Sequence, residues 1–91
     1  GEKEWQQLVS MLDGETGEWL GSEMSELLRK MKFDDYDNKT VRIIATQKQV
    51  ADMENLLGNN ELKSKFSQLL GHCFKGDKRK KVRLDYNKLN K

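Results

Sequence analysis

His72 and Cys73 are the one pair in this chain that offers both a nucleophile and a base, and they are adjacent. Neighbours on a helix point about 100° apart, so this imidazole cannot sit within hydrogen-bond reach of this thiol, as nucleophilic catalysis requires. With one histidine and one cysteine in the sequence, no second ligand cluster completes a zinc site, and Cys73 reads as a small core hydrophobe. Asp34, Asp35 and Asp37 bring three carboxylates close together, but they lack the spacing and the glycine of a calcium-binding loop and read as a solvated turn. No glycine-rich phosphate loop precedes a helix. The residue types argue against an enzyme and imply neither metal nor cofactor.

The segment with nucleic-acid character is basic: Lys75, Lys78, Arg79, Lys80, Lys81 and Arg83. Each charge could neutralise a phosphate and release counterions. No aromatic residue is interleaved among the six, so stacking on single-stranded bases would have to come from Phe74 or Tyr86. The competing reading is a solvated basic hairpin that keeps an edge strand from aggregating. Trp5 lies on a short first helix and Trp19 at a glycine-flanked junction. Exposed aromatics dominate protein interfaces, whereas buried ones are core, and the sequence leaves both roles open.

The elements that position these residues follow from apolar spacing. Trp5, Leu8, Val9 and Leu12 share one face of a helix over residues 3–12. Asp13 can cap the next helix, whose stripe is Leu20, Met24, Leu27, Leu28 and Met31. Its start is open, because Gly17 and Gly21 are poor helix residues and Ser22 is an alternative cap that would leave Trp19 in a loop. Residues 32–36 form a candidate strand, turning through Asp37-Asn38 into a firmer strand over 40–45. There Val41, Ile43 and Ala45 alternate inward, and Ile44 implies partial cover on the other face. A helix starting near Gln47 or Lys48 carries Val50, Met53 and Leu57 to a stop at Gly58-Asn59-Asn60. Asn60 then caps a helix to Cys73, with Leu62, Phe66, Leu69, Leu70 and Cys73 on its buried side. Residues 82–86 alternate as a closing strand, and 87–91 read as a fraying tail. Leu27, Leu28, Ile43, Val50, Phe66, Leu69 and Leu84 are the expected core. The order α-α-(β)-β-α-α-β, with helices on one face of a small sheet, is a two-layer α+β sandwich.

Ninety-one residues make one domain with a thin core, since 35% of them are hydrophobic and 35% charged. The net charge of +2 is too mild to argue for nucleic acid by itself, although acidic residues crowd the first 40 positions and the basic run lies late. No signal peptide or membrane span is recognisable. The single cysteine cannot form an internal disulfide, so a reducing cytoplasm is the expected setting. The initial Gly in place of Met points to a trimmed tag and a domain excised from a longer protein.

These elements resemble a known family. Trp5-Gln6-Gln7 opening the first helix, the run Glu23-Met24-Ser25-Glu26-Leu27-Leu28-Arg29, the turn and strand from Asp37 to Ala45, and the final α-β step are similar to the N-terminal domain of the bacterial replication initiator DnaA, a KH-like α+β module. The C-terminal domain of the clamp-loader tau subunit, which binds the replicative polymerase, is a second, related resemblance. The likeness implies a non-enzymatic protein–protein interaction domain of a DNA-replication protein. By position it assigns Trp5 and Leu8 to weak self-association, Glu23 to contact with the replicative helicase, and Gln49 or Val50 to the helicase contact opening the next helix. Regulators and weakly bound single-stranded DNA are the other partners it implies. From the residues themselves, Trp5 together with the acidic face of Glu23 and Glu26 is the expected working surface. A KH-like nucleic-acid domain using residues 75–83 is the alternative, but the Gly-x-x-Gly loop of that motif is missing from Gly58-Asn59-Asn60-Glu61. A structural domain of a mobile-element protein is a third reading.

Overall fold

A computed structural model describes residues 1–86; the tail expected to fray, 87–91, lies outside the described residues. Helices α1 (Glu2–Met11), α2 (Glu15–Leu20) and α3 (Ser22–Lys30) lead into strands β1 (Lys32–Tyr36) and β2 (Thr40–Ile44), helices α4 (Gln47–Leu57) and α5 (Asn60–Cys73), and strand β3 (Lys81–Asp85). The sheet order is β1-β2-β3, with β1 antiparallel and β3 parallel to β2. The expected two-layer α+β sandwich is the observed architecture. Among the described residues no helix is long and apolar enough to cross a membrane.

The stripe read as one helix is two. Gly21 adopts φ +99°, ψ 155°, a backbone that side chains of natural handedness rarely take, and the chain breaks there between α2 and α3. Ser25 stitches the break by donating from Oγ to the Gly21 carbonyl at 2.9 Å and to the Gly17 carbonyl at 3.3 Å. Gly17 is not loose either. A Cβ there would stand 1.9 Å from the Leu12 carbonyl oxygen, so its missing side chain lets α2 fold tightly against the end of α1. Asp13 does not cap α2, whose N-cap is Gly14; its carboxylate pairs with Arg29 at 2.7 Å.

The β1–β2 hairpin is closed by Asp37. Its Oδ1 accepts from the amides of Lys39 and Thr40, both at 2.8 Å, which is the local bonding that makes aspartate a turn former. A register shift between Phe33 and Asp35 absorbs the awkward Asp34-Asp35 pair as a bulge. Val41 and Ile43 point into the core, paired across the parallel ladder with Val82 and Leu84. Ile44 on the opposite face is half-buried, as expected.

Two caps set the helical layer. Thr46 and Gln49 form a reciprocal capping box on α4: Thr46 Oγ1 accepts from the Gln49 amide at 3.2 Å, and Gln49 Oε1 accepts from the Thr46 amide at 2.9 Å. Asn59, one residue before the expected Asn60, caps α5 by accepting from the amides of Glu61 and Leu62. The core gathers around Leu28, Ile43, Met53, Phe66 and Leu70. Leu27, Val50 and Leu69 are buried there as expected. Leu84 is half-buried, because its strand is the sheet edge, and Leu62, Leu57 and Cys73 likewise only flank the core.

Candidate interaction surfaces

Folding separates the residues expected to work together. Trp5 is 2% exposed and Leu8 fully buried; α1 packs against both α5 and β1, so its short apolar face is covered. Neither residue is available for self-association, and the expected surface joining Trp5 to the acidic face of the following helix does not exist. Val50 is also core. Gln49 is half-buried with its side chain engaged in the α4 cap. The spacing Thr46-x-x-Gln49 is the sequence signature of that cap and would have assigned Gln49 correctly.

Glu23 and Glu26 do reach solvent, and among the described residues neither forms an ion pair. Successive turns of α3 present them along a shallow groove of about 340 Å³, shared with Asp52 and Asn55 of α4. Leu27 and Leu56 give the groove an apolar floor, and Lys30 is its one cation. Asp52 is partly neutralised by Lys48, 3.2 Å away across one helical turn. The result is a channel with three carboxylates.

The basic run is dispersed rather than gathered on a hairpin. Its C-terminal end enters β3, which pairs in parallel with β2, so residues 75–83 form a turn and an edge strand. Lys80 is 1% exposed and cannot meet a phosphate. Its ammonium donates to the carbonyls of Asp37 and Asn38, both at 2.6 Å, and lies 5.7 Å from the centroid of the Tyr36 ring. The Asp77 amide also donates to the Asn38 carbonyl, and the Lys81 amide to that of Lys39. Lys80 therefore latches the hairpin turn to the segment entering β3. Its proximity, after the amides of Lys39 and Thr40, helps hold the Asp37 carboxyl below its ordinary value.

The remaining cations, Lys75, Lys78, Arg79, Lys81 and Arg83, are exposed, and four of them fall into two pairs. Lys81 and Arg83 stand on β3 beside Thr40 and Arg42 of β2. Lys78 and Arg79 lie instead over α5, because Gly71 admits the chain closely. A Cβ at Gly71 would stand 1.7 Å from the Lys78 carbonyl oxygen, and the Lys80 amide donates to the Ser67 carbonyl. Phe74, expected to stack on bases, is 2% exposed and packs flat against Phe33, with ring centroids 5.5 Å apart.

Of the two tryptophans whose role the sequence leaves open, the one that reaches solvent is Trp19. At 41% exposure it is the one exposed large hydrophobic among the described residues. It shares a depression of about 490 Å³ with His72, Lys78 and Arg79, residues more than fifty positions away that only the tertiary fold brings to it.

His72 is exposed, while Cys73 is half-buried with its Sγ 3.9 Å from Met11 Sδ. Burial pushes the thiol pKa up, which keeps it protonated and a poor nucleophile. Among the described residues no group of three or more His, Cys, Asp or Glu side chains could hold a metal ion. Comparison with protein-family models, curated proteins and solved structures found no match.

Proposed function

We propose that this chain is a non-enzymatic protein–protein interaction domain of a bacterial, cytoplasmic DNA-replication protein, and that it docks its partner in the acidic groove between α3 and α4. The observation that carries the reading is the convergence of Glu23 and Glu26 with Asp52 over the floor of Leu27 and Leu56. Apolar floor and charged rim are the two parts of a modest interface: burial supplies affinity, and the carboxylates orient a basic partner and speed its approach. The resemblance to the initiator domain places the helicase contact on the same helix, at Glu23. The tau-subunit resemblance would make the partner the replicative polymerase instead. Support for a clamp on a nucleic-acid backbone is poorer, because α4 and α5 are joined through Gly58 and Asn59 alone, without the glycine-flanked loop that such clamping needs.

Purified replicative helicase and replicative polymerase, each immobilised, test the reading by association kinetics. Glu23→Lys with Glu26→Lys should slow association with the true partner by roughly tenfold at low salt, with the difference shrinking as salt rises. Leu56→Asp should instead speed dissociation. If both partners bind the reversed-charge variant at the wild-type rate, the groove is not the docking site.

A further inference from the structure

The geometry points to a second binding site, at Trp19, for single-stranded nucleic acid. The indole stands at the edge of α2, and Lys65 of α5 fixes it there. The Lys65 ammonium lies 5.7 Å from the ring centroid, donates to the Trp19 carbonyl at 3.1 Å and pairs with Glu61 at 3.5 Å. An aromatic ring braced in this way loses little freedom when something stacks on it, which is what makes such rings efficient contacts.

The cations beside it are also placed by the fold. The backbone of residues 78–80 rests on α5 at Gly71 and Ser67, and Arg79 Nη1 donates to Ser64 Oγ at 3.2 Å. The side chains of Lys78, Arg79 and His72 then line the depression together with Trp19, and no carboxylate lines it. Its charge complements a polyanion.

The ring decides which polyanion. An acidic peptide would be held by the cations alone and would gain little from an indole, whereas a base offers a flat face of matching size. A duplex keeps its bases stacked inside and cannot present them. A single strand presents both a base for the ring and phosphates for Lys78 and Arg79. This site is separate from the α3–α4 groove, so each can fail without the other.

Fluorescence anisotropy of a labelled oligothymidylate, titrated with the whole chain at low salt, tests the proposal. Binding should quench tryptophan emission, since Trp19 is exposed and Trp5 buried. Trp19→Ala, with its circular dichroism unchanged, should lose at least about fivefold in affinity, the lower bound for one stacked base. Trp19→Phe should retain most of the binding. Lys78→Glu with Arg79→Glu should weaken binding further and reduce the logarithmic salt slope by about 0.7 for each phosphate no longer neutralised. Lys81→Glu, on β3, should change affinity less than either charge reversal at the depression. The proposal is overturned if Trp19→Ala binds as the wild type does or if Trp19→Phe loses as much as Trp19→Ala. It is equally overturned if polyglutamate or a duplex of equal charge displaces the oligonucleotide as well as an unlabelled single strand.

Discussion

Replacing Lys80 by Met should destabilise the domain by about 2–3 kcal/mol, although the residue lies in the most basic stretch of the chain. Methionine keeps an unbranched stem of similar length, so the substitution removes the ammonium and little else. The Asn38 carbonyl retains the Asp77 amide at 2.9 Å, but the Asp37 carbonyl loses its ammonium donor. A part-buried acceptor left in that state costs about 1–2 kcal/mol, the lower part of the range for a buried one, and removing the cation from beside the Tyr36 ring adds roughly 0.5–2 kcal/mol. Relief from burying a charge offsets part of this. Against a total stability of about 5–15 kcal/mol for an ordinary domain, the net loss is large. With a urea dependence of about 1 kcal/mol per molar for so small a protein, the unfolding midpoint should fall by about 2–3 M. Lys81→Met, one residue on and exposed, should stay within about 0.5 kcal/mol of wild type. If the two variants unfold at the same urea concentration, the latch contributes nothing and the reasoning fails.

Trp5→Ala should cost about 3–5 kcal/mol by emptying a buried site, measured by thermal or urea unfolding; a folded variant of near wild-type stability would return Trp5 to the surface. Thr46→Ala should lose about 1 kcal/mol by removing one half of the α4 cap, with Gln49→Ala weakening the same cap, and a double variant less than additive would show that they act as a unit. The Asp37 carboxyl, held below 3.8 by the Lys39 and Thr40 amides and then by the Lys80 and Arg42 charges, stabilises the fold above its unfolded value. That contribution disappears as pH falls through the lower folded value. Urea midpoints should therefore drop on acidification below about pH 4, and Asp37→Asn should flatten the drop; superimposable pH profiles would count against it. Gly71→Ala drives a methyl group into the Lys78 backbone and should cost roughly 1–3 kcal/mol, visible as a lowered melting temperature.

Periodicity carries most of the fold. Val41 and Ile43 alternate as a strand must, and Phe66, Leu69 and Leu70 recur as a buried helix face must, so both elements are legible from spacing alone. Asp34 and Asp35 look unfit for a strand, yet a bulge tolerates them, and bulges leave no periodic trace. Gly21 marks a break, but whether it ends a loop or splits a helix depends on the tight packing of Gly17 on Leu12, a contact between elements. The surface is harder to read. Lys80 sits among five exposed cations and differs from them only in what the hairpin turn offers it: two carbonyls supplied from more than forty positions away. Trp19 is the converse case, an aromatic whose basic neighbours belong to a different part of the chain. Trp5 defeats the expectation of an exposed anchor because the length of a helix says little about how much of it later elements will cover. Of the candidate partner contacts, Glu23 and Glu26 are legible because a charge flanking an apolar helical stripe reaches solvent whatever the stripe packs against.

The break at Gly21 has a stereochemical consequence. Its φ of +99° and ψ of 155° make a backbone that L residues rarely adopt, and beyond its chain neighbours no atom lies within 4 Å of where an L side chain would begin. An L-alanine there would meet open space and is opposed by chirality alone, whereas positive φ is the half of the backbone map that a D-alanine prefers. In a chain of 91 residues, short enough for assembly by chemical ligation, D-alanine at this position would restrict the unfolded chain while keeping the native φ, and should raise stability by about 0.4–1 kcal/mol. The junction between the second and third helices is thus a place where the protein is limited by the handedness of the amino acids available to it.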